Sequence, residues 1–195
     1  MSRRPQDTYG HRARREGYPA RAVYKLEELD RRLGLLRPGR RVLDLGAAPG
    51  SWLLYCAERV GRRGRVVGLD LKPLARDLPP QAHFEQHDVT EPLPSVVTQD
   101  APFDLVLSDM APNTSGHAHV DQYRSYELFM RALELASELL RPRGSFVAKL
   151  FQGAEFENAR AAVRQHFTKV RIVRPRASRS ESFELFIAGL GFKAS

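Results

Sequence analysis

Val42-Leu43-Asp44-Leu45-Gly46-Ala47-Ala48-Pro49-Gly50-Ser51-Trp52 is the stretch from which the rest of the chain is read. Apolar, strand-type residues run to an acid, then into small residues and an aromatic. An apolar pattern of helical spacing follows through Leu53, Leu54, Cys56, Ala57 and Val60. A strand that turns sharply into a helix through glycines presents bare backbone amides to a ligand. The stretch therefore predicts a ligand-binding loop at the end of a buried strand.

The same alternation recurs downstream. Residues 41–45, 65–70, 83–88, 103–109, 145–150, 169–173 and 184–190 read as strands, and 20–36, 50–60, 121–140 and 155–166 as helices. Apolar strands alternating with helices imply βαβ units: a mostly parallel sheet of seven strands with helices on both faces. Only about ten non-helical residues separate the last two strands, too few for a crossover connection. The last strand is therefore expected to run antiparallel. Residues 1–19 are polar, basic and aperiodic and read as a mobile arm; residues 20–195 form one domain.

The charge is unevenly spread. Residues 1–41 hold 12 Arg and Lys against 5 Asp and Glu, whereas residues 42–195 hold 19 against 18. A basic segment joined to a nearly neutral domain points to a polyanion, with nucleic acid first and a solubilising tail as the bland alternative. The expected RNA face comprises arm 1–19, helix 20–36 and loop 174–179. Tyr9 and Tyr18 among the arginines can stack on bases. No apolar run approaches the roughly 20 residues of a membrane helix, and no apolar h-region of a signal peptide begins the chain. Cys56 is the only cysteine, which excludes an internal disulfide, argues against a zinc cluster and fits a reducing cytoplasm. A monomer is expected.

Ligands of such sheets bind beyond the carboxyl ends of the strands, where Asp44, Asp70, Asp88 and Asp109 occur in succession. A dinucleotide loop reads G-x-G-x-x-G; here Gly46-Ala47-Ala48-Pro49-Gly50 lacks the second glycine and puts Pro49 where an amide would serve. Several acids would also repel phosphates. The site suits a cofactor without phosphates that carries positive charge, and S-adenosylmethionine fits. Asp70 can accept both ribose hydroxyls and Asp88 the adenine amino group. Trp52 offers an apolar wall, Asp44 and Asp109 can face the methionine end, and Gly46 of the loop is a further cofactor-binding candidate. Each acid alone reads equally as a helix cap or turn residue; it is their repetition that counts.

Lysine is scarce, with 5 Lys against 26 Arg. Lysines are therefore candidates for work that arginine cannot do, since only lysine readily loses its proton. Lys149 lies inside the apolar strand Ser145-Phe146-Val147-Ala148-Lys149-Leu150, and Asp109 ends the strand expected beside it. The bland alternative is a lysine snorkelling from an edge strand. Lys25 alone reads as a solvated helix charge, and Glu184 as an acid that protects an edge strand.

Five segments carry a resemblance. They are Arg21-Ala22-Val23-Tyr24-Lys25-Leu26, Asp44 to Trp52, Ser108-Asp109-Met110-Ala111-Pro112-Asn113, Val147-Ala148-Lys149-Leu150-Phe151-Gln152-Gly153 and Ser178-Arg179-Ser180-Glu181-Ser182-Phe183-Glu184. In this order they resemble the FtsJ/RrmJ family of S-adenosylmethionine-dependent ribosomal RNA 2'-O-ribose methyltransferases. Ser51 stands where that family usually has glycine. The resemblance implies a Rossmann-like class I methyltransferase fold and a Lys-Asp-Lys-Glu tetrad: Lys25, Asp109, Lys149 and Glu184, the last aligning better than Glu181. It implies cofactor contacts at Gly50, Trp52, Asp70, Asp88 and Asp109. The implied substrate is a uridine ribose of large-subunit (23S) ribosomal RNA in the assembled subunit, with Lys149 as the base. Transfer RNA, a messenger RNA cap, or a non-catalytic RNA-binding assembly factor on this fold are the alternatives.

Overall fold

The computed structural model describes residues 8–74, 76–178 and 183–194. In chain order the elements are α1 (Thr8–Arg15), α2 (Val23–Leu33), β1 (Arg41–Leu45), α3 (Ser51–Val60), β2 (Arg65–Asp70), β3 (Ala82–Gln86), α4 (Ser95–Asp100), β4 (Phe103–Ser108), α5 (Ala118–Leu139), β5 (Leu140–Phe151), α6 (Phe156–His166), β6 (Phe167–Val173) and β7 (Glu184–Phe192). The seven strands form one sheet in the order β3-β2-β1-β4-β5-β7-β6. All neighbours from β3 to β5 are parallel, and β7 runs antiparallel to both β5 and β6. The expected mostly parallel sheet with an antiparallel last strand is what forms. The sequence reading did not foresee that β7 would lie inside the sheet. Neither β5 nor β7 is an edge, so Lys149 does not snorkel from one and Glu184 does not guard one.

Strand alternation divides the core in two. Leu43, Leu45, Val106, Phe146 and Ile187 face α5 and α6, while Val42, Leu105, Val147 and Phe186 face α2 and α3. Strands buried on both faces read as continuous apolar runs for this reason. Within β5, Leu140 pairs with Phe103 and the ladder resumes at Ser145 opposite Leu105. The gap left between the expected helix 121–140 and strand 145–150 is thus absorbed as an irregularity within a longer strand.

The arm reading is corrected from Thr8 onward: residues 8–15 are helical and packed. Ala13 is buried with Val23, Tyr24 and Ala177. Tyr9 and Tyr24 rings lie 5.5 Å apart, Arg12 sits 4.5 Å over the Tyr24 ring, and the Tyr24 hydroxyl donates to Glu16 at 2.7 Å. Gly17 takes φ +83° and the Tyr18 amide reaches back to the Ala13 carbonyl at 2.9 Å, a helix stop that favours glycine. Residues 1–7 of the arm lie outside the described residues.

Ser51 fastens α3 to the segment before α2. Its hydroxyl accepts from the Ala20 amide at 2.9 Å and donates to the Ala20 carbonyl at 3.1 Å, and the side chain is buried. The Trp52 indole donates to the Ala22 carbonyl at 2.8 Å and its ring packs 5.8 Å from Phe186.

Asp44 is 0% exposed and shares the Val42 face beneath α3. Neither of its oxygens accepts a hydrogen bond among the described residues. Burial, then the nearby Asp109 and Asp70 charges, push its carboxyl well above the ordinary range. The same burial pushes the Cys56 thiol up, with Asp44 and Asp30 adding to it.

Two outcomes follow from these contacts. Ser51→Ala leaves the Ala20 amide and carbonyl short of a partner, a loss of about 1–3 kcal/mol, and should lower Tm by several degrees in a thermal melt. Asp44 binds its proton more tightly folded than unfolded, so its contribution to stability is present at low pH and lost as pH rises from about the ordinary value of 3.8 toward the raised one. Asp44→Asn should therefore gain on wild type steadily across that rise; parallel melting curves against pH would count against it.

Candidate active site

Two groups of side chains meet at the carboxyl ends of the strands, around the crevice where the strand order reverses between β1 and β4. The first lines a cavity of about 790 Å³ that includes Gly46, Asp70, Asp88, Asp109 and Met110. Gly46 has φ +81°, and a Cβ there would lie 2.9 Å from the Met110 backbone, so only glycine lets the β1 and β4 loops approach this closely. The Gly46 and Ala47 amides both donate to the Leu69 carbonyl, at 2.8 and 3.1 Å. The loop is thereby tied to the end of β2.

Asp70 accepts from the Ala48 amide at 2.9 Å and the Lys72 amide at 2.8 Å. Each carboxylate oxygen keeps a further lone pair for a ligand. Asp88 accepts from the Thr90 amide at 2.9 Å and hydroxyl at 2.7 Å. Those bonds, the amide's first, hold its carboxyl below the ordinary range. The cavity is large enough for a nucleoside-sized ligand, and its braced carboxylates suit hydroxyl, amino or cationic groups. These observations fit S-adenosylmethionine. Arg124 and Arg131 from α5 also line the cavity, with the Arg131 guanidinium donating to the Val89 carbonyl at 2.8 Å. No motif in the sequence singled them out.

Three expected cofactor residues fall outside the lining. Asp44 is enclosed beneath α3, one residue short of the end of β1, because alternation turns it to that side. Trp52 is not among the residues lining the cavity; its ring packs against Phe186 and its N–H donates to the Ala22 carbonyl. Gly50 begins α3 with φ +100°, and a Cβ there would come within 2.9 Å of Leu74. Its place is the turn itself.

The second group is the tetrad. Lys149 is 7% exposed, and its ammonium donates to the Asp109 carbonyl at 2.6 Å and pairs with Asp109 Oδ1 at 2.9 Å. Lys149 stands on the Val147 face, toward α2 and α3. On β7, Phe186 is paired with Lys149 and Glu184 with Phe151, so Glu184 lies two residues further along the ladder. Lys25 of α2 closes the set by meeting Glu184 Oε1 at 2.6 Å. Glu184 is 9% exposed. Burial opposes its ionisation, but the Lys25 ammonium outweighs that, with Ser178 and Lys149 adding to it, and the carboxyl titrates below its ordinary value. Glu181, the alternative, lies outside the described residues, as does Arg179 of the basic loop.

The sequence marked Lys25 but not what holds it. Glu28 of the same helix is buried, accepts from the Arg176 amide at 2.7 Å and meets Arg32 at 2.5 Å. Arg21 donates to the Ala177 carbonyl at 2.9 Å. These links join α2 to the segment leading to β7. The one signal for α1 was the helical spacing of Tyr9, Ala13 and Glu16, too short to stand out among the charges.

Comparison with known proteins agrees with this geometry. The family model of FtsJ-like methyltransferases matches residues 18–192. Ribosomal RNA large subunit methyltransferase E of Sorangium cellulosum is 51% identical over 189 residues, covering 97% of this chain and 89% of that protein. The protein of the same name from Syntrophobacter fumaroxidans is 50% identical, with 100% of both chains covered. A crystal structure of a candidate ribosomal RNA methyltransferase from Plasmodium falciparum superposes with a TM-score of 0.79 at 25% identity, covering 90% of this chain and 98% of that one. Lys25, Asp109, Lys149 and Glu184 thus stand in a chain that belongs to the FtsJ-like methyltransferase family.

Proposed function

We propose that this chain methylates the 2'-oxygen of a uridine ribose in 23S ribosomal RNA, with the assembled large subunit as substrate. The observation that carries the reading is the pair of ion pairs Lys149–Asp109 and Lys25–Glu184, of which Asp109 also lines the nucleoside-sized cavity. The names of the relatives support ribosomal RNA as the substrate. Among the described residues no helix is long and apolar enough to cross a membrane.

S-adenosylmethionine supplies an electrophilic methyl group when bound. Asp70 would take its ribose hydroxyls, Asp88 its adenine amino group, and the Gly46 loop and Asp109 its methionine end. Lys149 would take the proton of the ribose 2'-hydroxyl, leaving that oxygen to accept the methyl group as the methyl–sulfur bond breaks and the neutral thioether leaves. Asp109 orients the Lys149 amine through its carbonyl and carboxylate. Lys25 and Glu184, held by each other, position the hydroxyl and its neighbours. The basic surface of α1, α2 and the segment after β6 receives the RNA backbone.

The decisive assay is transfer of labelled methyl to undermethylated large subunits, free 23S RNA and transfer RNA, followed by mapping of the modified nucleotide. Preference for transfer RNA would overturn the substrate reading. Lys149→Arg keeps the charge without the base, and should lower the rate by about 10²–10⁴-fold; a wild-type rate with unchanged pH dependence would sink the assignment. Arg14 and Arg15 are exposed on α1. Replacing both with alanine should reduce the slope of log affinity for RNA against log salt by about one to two, one phosphate contact each, and leave cofactor affinity unchanged.

A further inference from the structure

A second cavity, of about 330 Å³, opens beside the tetrad between the start of α5 and the end of β5; Thr114, Gln122, Phe151 and Phe183 are among its walls. It shares no lining residue with the nucleoside-sized cavity, so a ligand there would be distinct from the cofactor. We propose that it holds the base of the nucleotide whose ribose is methylated, stacked on the Phe183 ring. The inference rests on the RNA 2'-O-methylation reading above.

Position is the first argument. Phe183 directly precedes Glu184, and consecutive Cα atoms lie about 3.8 Å apart. Phe151 is paired with Glu184 and lies two residues beyond Lys149. A base attached to a ribose at the tetrad is within reach of this cavity.

The second argument is the exposure of an anchored aromatic ring. Phe183 is 74% exposed, yet its carbonyl accepts from the Gln152 amide at 2.9 Å. Its backbone is therefore held while its ring faces solvent beside a catalytic glutamate. An aromatic ring stacks on any base, because every base has a π-face. RNA recognition of this kind takes unstacked nucleotides from loops and stacks them on aromatic side chains.

The polar walls discriminate between parts of a nucleotide. Asp121, another wall of the cavity, is a carboxylate fixed by the Ser115 amide and hydroxyl, each at 2.8 Å. An anion there disfavours a phosphate and leaves the neutral base as occupant. Gln122 offers an amide donor and acceptor, as a base edge requires. It sits where a side chain at Gly153 would be: a Cβ there would lie 2.8 Å from Gln122 Oε1.

Phe183→Ala and Phe183→Trp test the proposal on undermethylated 23S RNA and on undermethylated large subunits. Phe183→Ala should raise KM for both RNAs on the order of tenfold, with cofactor affinity unchanged. Phe183→Trp should keep wild-type KM within about twofold, and its emission should be quenched when undermethylated 23S RNA is added. Trp52, the only native tryptophan, is buried and supplies the background. Wild-type KM in Phe183→Ala together with no quench in Phe183→Trp would overturn the base pocket. A defect of Phe183→Ala confined to assembled subunits would also overturn it, assigning the ring to a protein contact. A wild-type enzyme that transfers no methyl to either RNA would instead refute the underlying function, and that is read before any variant is compared.

Discussion

A lysine held inside the sheet sets the terms for everything around it. Lys149 belongs to an interior strand, so its ammonium needs a partner that arrives with little freedom to move away. Asp109 meets that need because β4 is the parallel neighbour of β5, which brings its end beside Lys149. Desolvation of such a pair offsets much of its attraction, and apolar residues of similar volume often pack as stably. On the proposed function, the pair is machinery that the fold tolerates rather than a source of stability. Its partner, Glu184 with Lys25, is built from opposite ends of the chain and is tied down by contacts that touch neither lysine. Glu28, Arg21, Ser51 and Trp52 all pin α2 or the residues before it to other parts of the structure.

The two cavities divide the labour of the proposed reaction. One is lined by carboxylates at the ends of β2 to β4 and closed by the Gly46–Met110 approach. The other is walled by Phe151 and Phe183, with the tetrad at hand. A methyl donor in the first and a base in the second would bring the methyl group and the ribose oxygen together from different walls, an arrangement compatible with in-line displacement. Helix α5 borders both cavities, while α1 and α2 bring basic side chains to the surface near Lys25.

Much of this was legible in the sequence because it depends on periodicity and order. Parallel strands reveal themselves as apolar runs, and the short connection before Glu184 limited how β7 could return. Lys149 stood out through its chemical context, in a chain that nearly always uses arginine. What was not legible depends on which side of an element a residue faces. Asp44 looked like another acid at a strand end, yet one residue of register turned it under α3. Trp52 was read as a cofactor wall, yet Phe186, distant in sequence, claims its ring. The helix at Thr8–Arg15 is two turns long and amphipathic only against Tyr24 and Ala177, so its pattern emerges only once α2 and the segment after β6 are in place. The position of β7 between β5 and β6 is likewise a matter of topology rather than of local composition.

That last arrangement has a bearing on how the molecule is made. During synthesis β7 leaves the ribosome after every other strand, yet it occupies an interior slot. Until it arrives, β5 presents an open edge next to Lys149, and β6 lacks the only neighbour with which it pairs among the described residues. Such an edge invites wrong pairing with other chains. Glu184 enters with the same strand, so Lys25 has no counterion from β7 before then. The proposed tetrad therefore cannot assemble on a nascent chain that stops short of β7, and completion of the sheet and completion of the proposed active site are one event.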